Sequence, residues 1–178
     1  MLLFKGHYSS AKTGNDLEYH LRNILDDSLF KEPIFLGIGS EHHILDCLGP
    51  LVGSMIKEKC KTLLAYGTLD DPLNAKNLNK RMKVINNKHP GNIQIAIDAS
   101  LGSNEELGMI KLFQGSLYPG KAMGKRLQPV GHFYITGIVA SHDDKYKLIR
   151  ANYGSLVPVY HIARLISDSI GSWYNSYK

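Results

Sequence analysis

Cysteine is scarce in this chain. Only Cys47 and Cys60 occur among 178 residues, on either side of what reads as one helix, too far apart for the Cα separation of about 4.4 to 6.8 Å that a disulfide spans. A disulfide-built secreted scaffold is therefore excluded, and free thiols fit a reducing compartment. No run approaches the roughly 18 to 20 apolar residues of a membrane-spanning helix. Met1–Tyr8 is too short and too interrupted for a secretory signal, so a cytoplasmic protein with no membrane partner is expected. Internal repeats, linkers and low-complexity tracts are also absent. Apolar residues make up 43% and charged residues 21%, a balance that excludes a disordered or fibrous chain. The length suits a single domain over 1–178, with a leading helix in 1–32 and an α/β core over 33–171.

The formal net charge is +5. Because the lysines are spread along helices and turns and form no tract, the charge describes a solvated basic surface, and a dedicated nucleic-acid site is not expected. An acidic partner remains open.

Asp16–Leu29 carries Leu17, Leu21, Leu25 and Leu29 at four-residue spacing, an amphipathic leading helix that Asn15 or Asp16 is able to cap. Pro33 stops it. Ile34–Ile38 reads as a buried strand, and Leu48, Leu51, Val52, Met55 and Ile56 mark a second helix whose carboxyl end suits Lys57, Lys59 and Lys61. Leu63–Tyr66 follows as a strand. Asp70-Asp71-Pro72 supplies a cap and a first-turn proline for a third helix with Ala75, Leu78, Met82 and Ile85 on its apolar face. Ile93–Ile97 is a short strand that delivers Asp98 at its carboxyl end. This β-α-β-α-β order implies a mainly parallel sheet with helices on both faces. Gly108–Phe113 and Phe133–Val139 add hairpin-like edge strands, and Leu156 to Ile170 describe a long final helix with Pro158 in its first turn.

Ligands and catalysts of open parallel sheets collect outside the carboxyl ends of the strands. Two loops there contain aspartates, Leu36–Gly53 with Asp46 and Ile95–Gly102 with Asp98. As plain structure, Asp46 would be a helix cap and Asp98 an acceptor of backbone N–H bonds. Pro50 favours Gly49 as the cap, because proline fits the first helical position, and that leaves Asp46 in the loop. Two close carboxylates cannot both ionise easily, so one holds a proton while the other activates water, an acid/base pair for amide hydrolysis. Gly39, Ser40, Ser100 and Gly102 on the same loops are the candidate substrate-binding positions. Gly37-x-Gly39 lacks the third glycine of a dinucleotide loop. Cys47 is a weaker nucleophile candidate, and His132 with Asp46 and Asp98 is an alternative nitrogen and oxygen set for a divalent metal such as nickel or zinc.

These residues, with Tyr66-Gly67-Thr68-Leu69-Asp70-Asp71-Pro72, Ala75-x-Asn77-Leu78, Tyr118-Pro119-Gly120, and Val130-Gly131 leading to Thr136-Gly137-Ile138-Val139, resemble the YyaC family of sporulation proteins. That family is related to the germination (spore) protease and, more distantly, to hydrogenase maturation endopeptidases. The resemblance runs from about Pro33 to Ile170. It implies a three-layer α/β/α sandwich, Asp46 and Asp98 as the working aspartates, and a setting in the sporulating cell or forespore. In the hydrogenase maturation enzymes the corresponding acidic positions bind nickel with a later histidine, for which His132 is the counterpart here. No pro-segment of the germination-protease kind is expected. The expected function is an aspartate-dependent endopeptidase acting on a protein or peptide, with no cofactor. A metal-recognising processing endopeptidase and a non-catalytic binding protein, which holds a partner peptide or forms a homo-oligomer, are the alternatives.

Overall fold

Leucines four residues apart decide the first helix, as expected from the sequence. A computed structural model describes residues 1–26, 31–120, 127–142 and 154–177. In it α1 spans Thr13–Leu25 with Leu17, Leu21 and Leu25 buried, while Leu29 lies outside the described residues. The helix begins three residues earlier than its cap candidates suggest. Thr13 donates its hydroxyl to the His7 carbonyl at 2.8 Å and ties the helix start to a strand the sequence pattern did not announce, β1 (Leu2–His7).

The other elements are β2 (Lys31–Gly37), α2 (Leu48–Lys59), β3 (Leu64–Tyr66), α3 (Leu78–Lys88), β4 (Asn92–Gly102), β5 (Met109–Gln114), β6 (Phe133–Ser141) and α4 (Leu156–Tyr177). The six strands form one sheet in the order β1-β5-β6-β4-β2-β3. Only β5 runs against the rest, antiparallel to both β1 and β6. The edges are therefore β1 and β3, and the two strands expected at an edge lie inside the sheet. The pairing of Leu2 with Phe113 shows why: the covering edge comes from the far end of the chain.

Alternation along the strands sorts the core into two layers. Ile93, Ile95 and Ile97 of β4 face α1, α2 and α4, where Leu21, Val52, Ile56, Ile162, Ile166 and Trp173 are buried. Ala96, with Ile34 and Leu36 of β2, faces Leu78, Met82 and Ile85 of α3. The result is an α/β/α sandwich in which, among the described residues, three helices lie on one face and one on the other.

Two boundaries differ from expectation for identifiable reasons. Helix α3 starts at Leu78 with Asn77 at the cap position, not at Asp71-Pro72. The Asn77 amide donates to the Pro72 carbonyl at 2.9 Å, and Asp71 is drawn into a paired hydrogen bond with Arg81, so this stretch closes as a loop. Strand β4 does not end at Ile97 but continues to Gly102, because β6 pairs with it that far.

Cys47, not Gly49, occupies the cap position of α2. Gly49 has a different task. A Cβ there would lie 2.2 Å from the Ile38 oxygen and 2.6 Å from the Ile97 oxygen, so its missing side chain lets the helix start rest directly on the ends of β2 and β4. Pro50, third in the helix, still falls among the first four residues whose N–H groups have no intrahelical acceptor.

Gly49→Ala is expected to destabilise the fold by about 3 kcal/mol, since the contacts it violates are backbone and cannot swing aside. Gly14→Ala, where the nearest atom is 3.8 Å away, is expected to be neutral or slightly stabilising. Urea denaturation of both variants against the parent protein measures the difference.

Candidate active site

The order of the strands creates a crevice at one place. From β2 the chain passes through α2 to β3 on one side, then returns through α3 to β4 on the other side of β2. The carboxyl ends of β2 and β4 therefore form a topological switch point, the usual ligand position in such sheets. Asp46 lies in the loop after β2. Asp98 is the first residue of β4 beyond its pairing with β2, whose last partners are Gly37 and Ile97.

The loop holding Asp46 is folded back on itself. Ser40 N–H donates to the Asp46 carbonyl at 2.9 Å, and Asp46 N–H donates to the His43 carbonyl at 2.8 Å. Gly39 permits this close passage, with φ of +138° and a hypothetical Cβ only 1.9 Å from the Asp46 oxygen. Ile38 N–H donates to the Ile97 carbonyl at 2.8 Å and clamps the two aspartate loops together. Asp98 is placed by the ladder, opposite Thr136 of β6, and its Oδ1 accepts the Ala99 N–H at 2.9 Å.

Both carboxyls are partly buried and both hold their protons more tightly than a free aspartate. Burial raises Asp46 to about 6, against the opposing pull of nearby His43 and the Ser40 N–H. Asp98 is raised further, to about 8, first by burial and then by the negative charge of Asp46, with the Ala99 N–H acting in the other direction. Asp98 feels the negative charge of Asp46, which favours a single proton on the pair. Near neutral pH the pair holds Asp46 as carboxylate and Asp98 as acid.

The other candidates separate. Gly39 and Gly102 are buried, the latter against Glu106 and Ile138, so both shape the loops from inside. Ser40 receives the His42 N–H at 3.3 Å, and Ser100 lines a groove beside Asp98. Cys47 donates its thiol to the Ile44 carbonyl at 3.3 Å. Burial, and to a smaller degree Asp46, push that thiol up, so it stays protonated and does not suit a nucleophile. His132 immediately precedes β6, four positions before Thr136, and accepts the Gln94 N–H at 3.0 Å. Four residue steps, about 13 Å of extended chain, separate those positions, so Asp46, Asp98 and His132 do not converge on an ion. Among the described residues no group of three or more His, Cys, Asp or Glu side chains is gathered for a metal. His43 and Thr136 are the neighbours of the pair that periodicity alone did not single out.

A carboxyl raised by folding binds its proton more tightly in the native state, so its contribution to stability is lost as pH climbs from the unfolded value near 4 through the folded value. Relative to the parent, Asp98→Asn is expected to gain stability between about pH 4 and pH 8, on the order of a few kcal/mol. Denaturant midpoints measured at intervals across that range give the difference, and a constant difference would contradict the assignment.

The comparisons agree with the extent of this fold. A family model described as a protein of unknown function, DUF1256, matches residues 7–169. The uncharacterized protein YyaC of Bacillus subtilis (strain 168) is 33% identical over 133 residues, which cover 74% of this chain and 65% of that protein. The alignment thus spans a little under two thirds of the relative. With the family match running from the end of β1 into α4 and taking in both aspartate loops, the chain belongs to the DUF1256 family of YyaC-like proteins.

Proposed function

We infer that this protein is a peptidase that hydrolyses a protein amide bond with the Asp46–Asp98 pair, in the manner of the germination protease. One observation carries the reading: an aspartate in the loop after β2 and one within β4 lie at the switch point, the second feeling the charge of the first, with proton affinities pushed apart, about 6 and about 8. Groups so split at neutral pH divide the roles of base and acid between them. The sequence resemblance supplies the sporulating cell as the setting.

The chemistry balances with one water. Asp46, ionised, takes a proton from that water as its oxygen bonds to the carbonyl carbon. Asp98 gives its proton to the amide nitrogen as the carbon–nitrogen bond breaks, releasing the amine. The proton left on Asp46 then passes to Asp98 and restores the starting state. No side chain is consumed, and no covalent intermediate with the protein is needed.

Asp46→Asn and Asp98→Asn are each expected to lower kcat by about 1,000-fold on protein extracts from sporulating cells. In the parent, activity should follow a bell in pH, rising as Asp46 ionises near 6 and falling as Asp98 loses its proton near 8. Cleavage undiminished in both variants would sink the proposal.

A further inference from the structure

The two faces of the sheet are unequally covered. Helices α1, α2 and α4 lie over one face, while α3 packs on β2, β3 and the middle of β4 on the other. Among the described residues, no helix crosses β5, β6 or the last half of β4 on the α3 side. A groove of about 270 Å³ occupies that bare area. It adjoins Asp98 through the ladder, with neither aspartate in its described lining. Thr136 is directly across from Asp98, about 4.8 Å away between neighbouring strands, and Ser100 is two residues further along on the same face. Both line the groove.

Thr136 is unusual among these residues. It is 8% exposed, yet its hydroxyl makes no hydrogen bond to the described residues. No fully enclosed side-chain oxygen or nitrogen lacks a partner among them, so this hydroxyl reaches the groove. A donor held in a nearly buried wall, with nothing to donate to, favours a ligand carrying an acceptor at that point.

The remaining lining describes that ligand. Phe113 and Tyr134 stack with ring centroids 4.7 Å apart and planes 13° from parallel, and Tyr118 is 55% exposed beside them. Among the described lining residues the single charged one, Lys111, is engaged by Glu106 at 2.5 Å, and Glu106 is itself held by the Ser103 N–H at 3.3 Å. A wall whose described residues are close to neutral and aromatic, with the hydroxyls of Ser100, Ser116, Tyr118, Tyr134 and Thr136 along it, suits uncharged backbone and apolar side chains better than a phosphorylated or strongly acidic group.

We propose that this groove is the substrate channel of the Asp46–Asp98 site, that it holds an extended peptide segment with apolar side chains, and that the Thr136 hydroxyl donates to the carbonyl oxygen of the amide under attack. The proposal rests on the peptidase reading for the word substrate, and on the groove alone for the ligand. As water adds to the carbonyl carbon, the oxygen gains negative charge and the Thr136 donor strengthens, which favours the transition state over bound substrate.

The test uses the full chain and a positional-scanning library of amidated decapeptides. Cleavage is read by mass spectrometry, and binding by methyl NMR of Leu117 and Ile138 in Asp46→Asn protein. Cleavage is expected at apolar segments, with Thr136→Val lowering kcat about 100-fold at nearly unchanged KM and Thr136→Ser restoring most of it. Should Thr136→Val fail to fold, Thr136→Ala takes its place. If the parent cleaves and the threonine variants match it, the assignment of Thr136 is overturned and the peptidase reading survives. If nothing is cleaved, but peptides shift the Leu117 and Ile138 methyls and Thr136→Val on the Asp46→Asn background weakens that binding, the peptidase reading fails and the channel stands. Absence of both cleavage and methyl shifts overturns the channel.

Discussion

The seating of α2 on the sheet is the constraint from which the site follows. Its second residue, Gly49, touches the backbone of Ile38 and of Ile97 at distances no side chain would permit, and Gly137 of β6 likewise leaves room for Leu48 and Ile162. Because the helix start is pressed onto the ends of β2 and β4, the ten-residue loop between β2 and α2 has little room. It closes on itself through Ser40, His43 and Asp46. A larger residue at position 49 would lift the helix, and the loop carrying Asp46 would move with it away from Asp98. Packing and chemistry are linked here by backbone contact, the least adjustable kind in a close-packed interior.

That seating also sets the electrostatics. Two carboxylates on a flexible surface would both ionise and turn to water, and neither would depart far from its ordinary proton affinity. Here burial is the first cause of both shifts, with the negative charge of Asp46 added at Asp98. The arrangement costs stability wherever the second proton is removed. Asp71 provides the contrast inside the same molecule. Exposed and gripped by Arg81 at 2.5 Å, it is held below the ordinary carboxylate range. Aspartates are thus treated in opposite ways according to whether a cation or only protein surrounds them, and the uncompensated pair is the one at the switch point.

Much of this was legible in the sequence because it depends on local periodicity. The leucine stripe of α1, the apolar strands preceding the two aspartates, and the long face of α4 are patterns within a few residues of chain. Pro50 likewise kept Asp46 out of the helix, although the cap itself fell to Cys47 instead of Gly49. What stayed hidden depends on partners far away in the chain. Leu2–His7 is a strand only because Met109–Gln114 lies beside it, and β4 runs past Ile97 only because β6 accompanies it. His132 illustrates the same limit for the site. Its type suited a metal, but its place is set by the register of β6, which brings Thr136 to Asp98 and leaves the histidine with Gln94.

The extra length of β4 has a further consequence. With β2 ending at Gly37, the stretch from Asp98 to Gly102 keeps β6 on one side and has lost its β2 partner on the other. A strand that outruns its neighbour gives the sheet a ledge, and alternation places Asp98 and Ser100 on the α3 side of it. Since α3 must cross back from β3 to β4, it covers that part of the sheet and no more of it than its eleven residues reach. The antiparallel strand β5 then widens the sheet beyond the reach of that helix. Uneven covering is therefore a product of topology: among the described residues three helices lie on one face and one on the other, and the strip they leave begins beside Asp98, the carboxyl raised furthest.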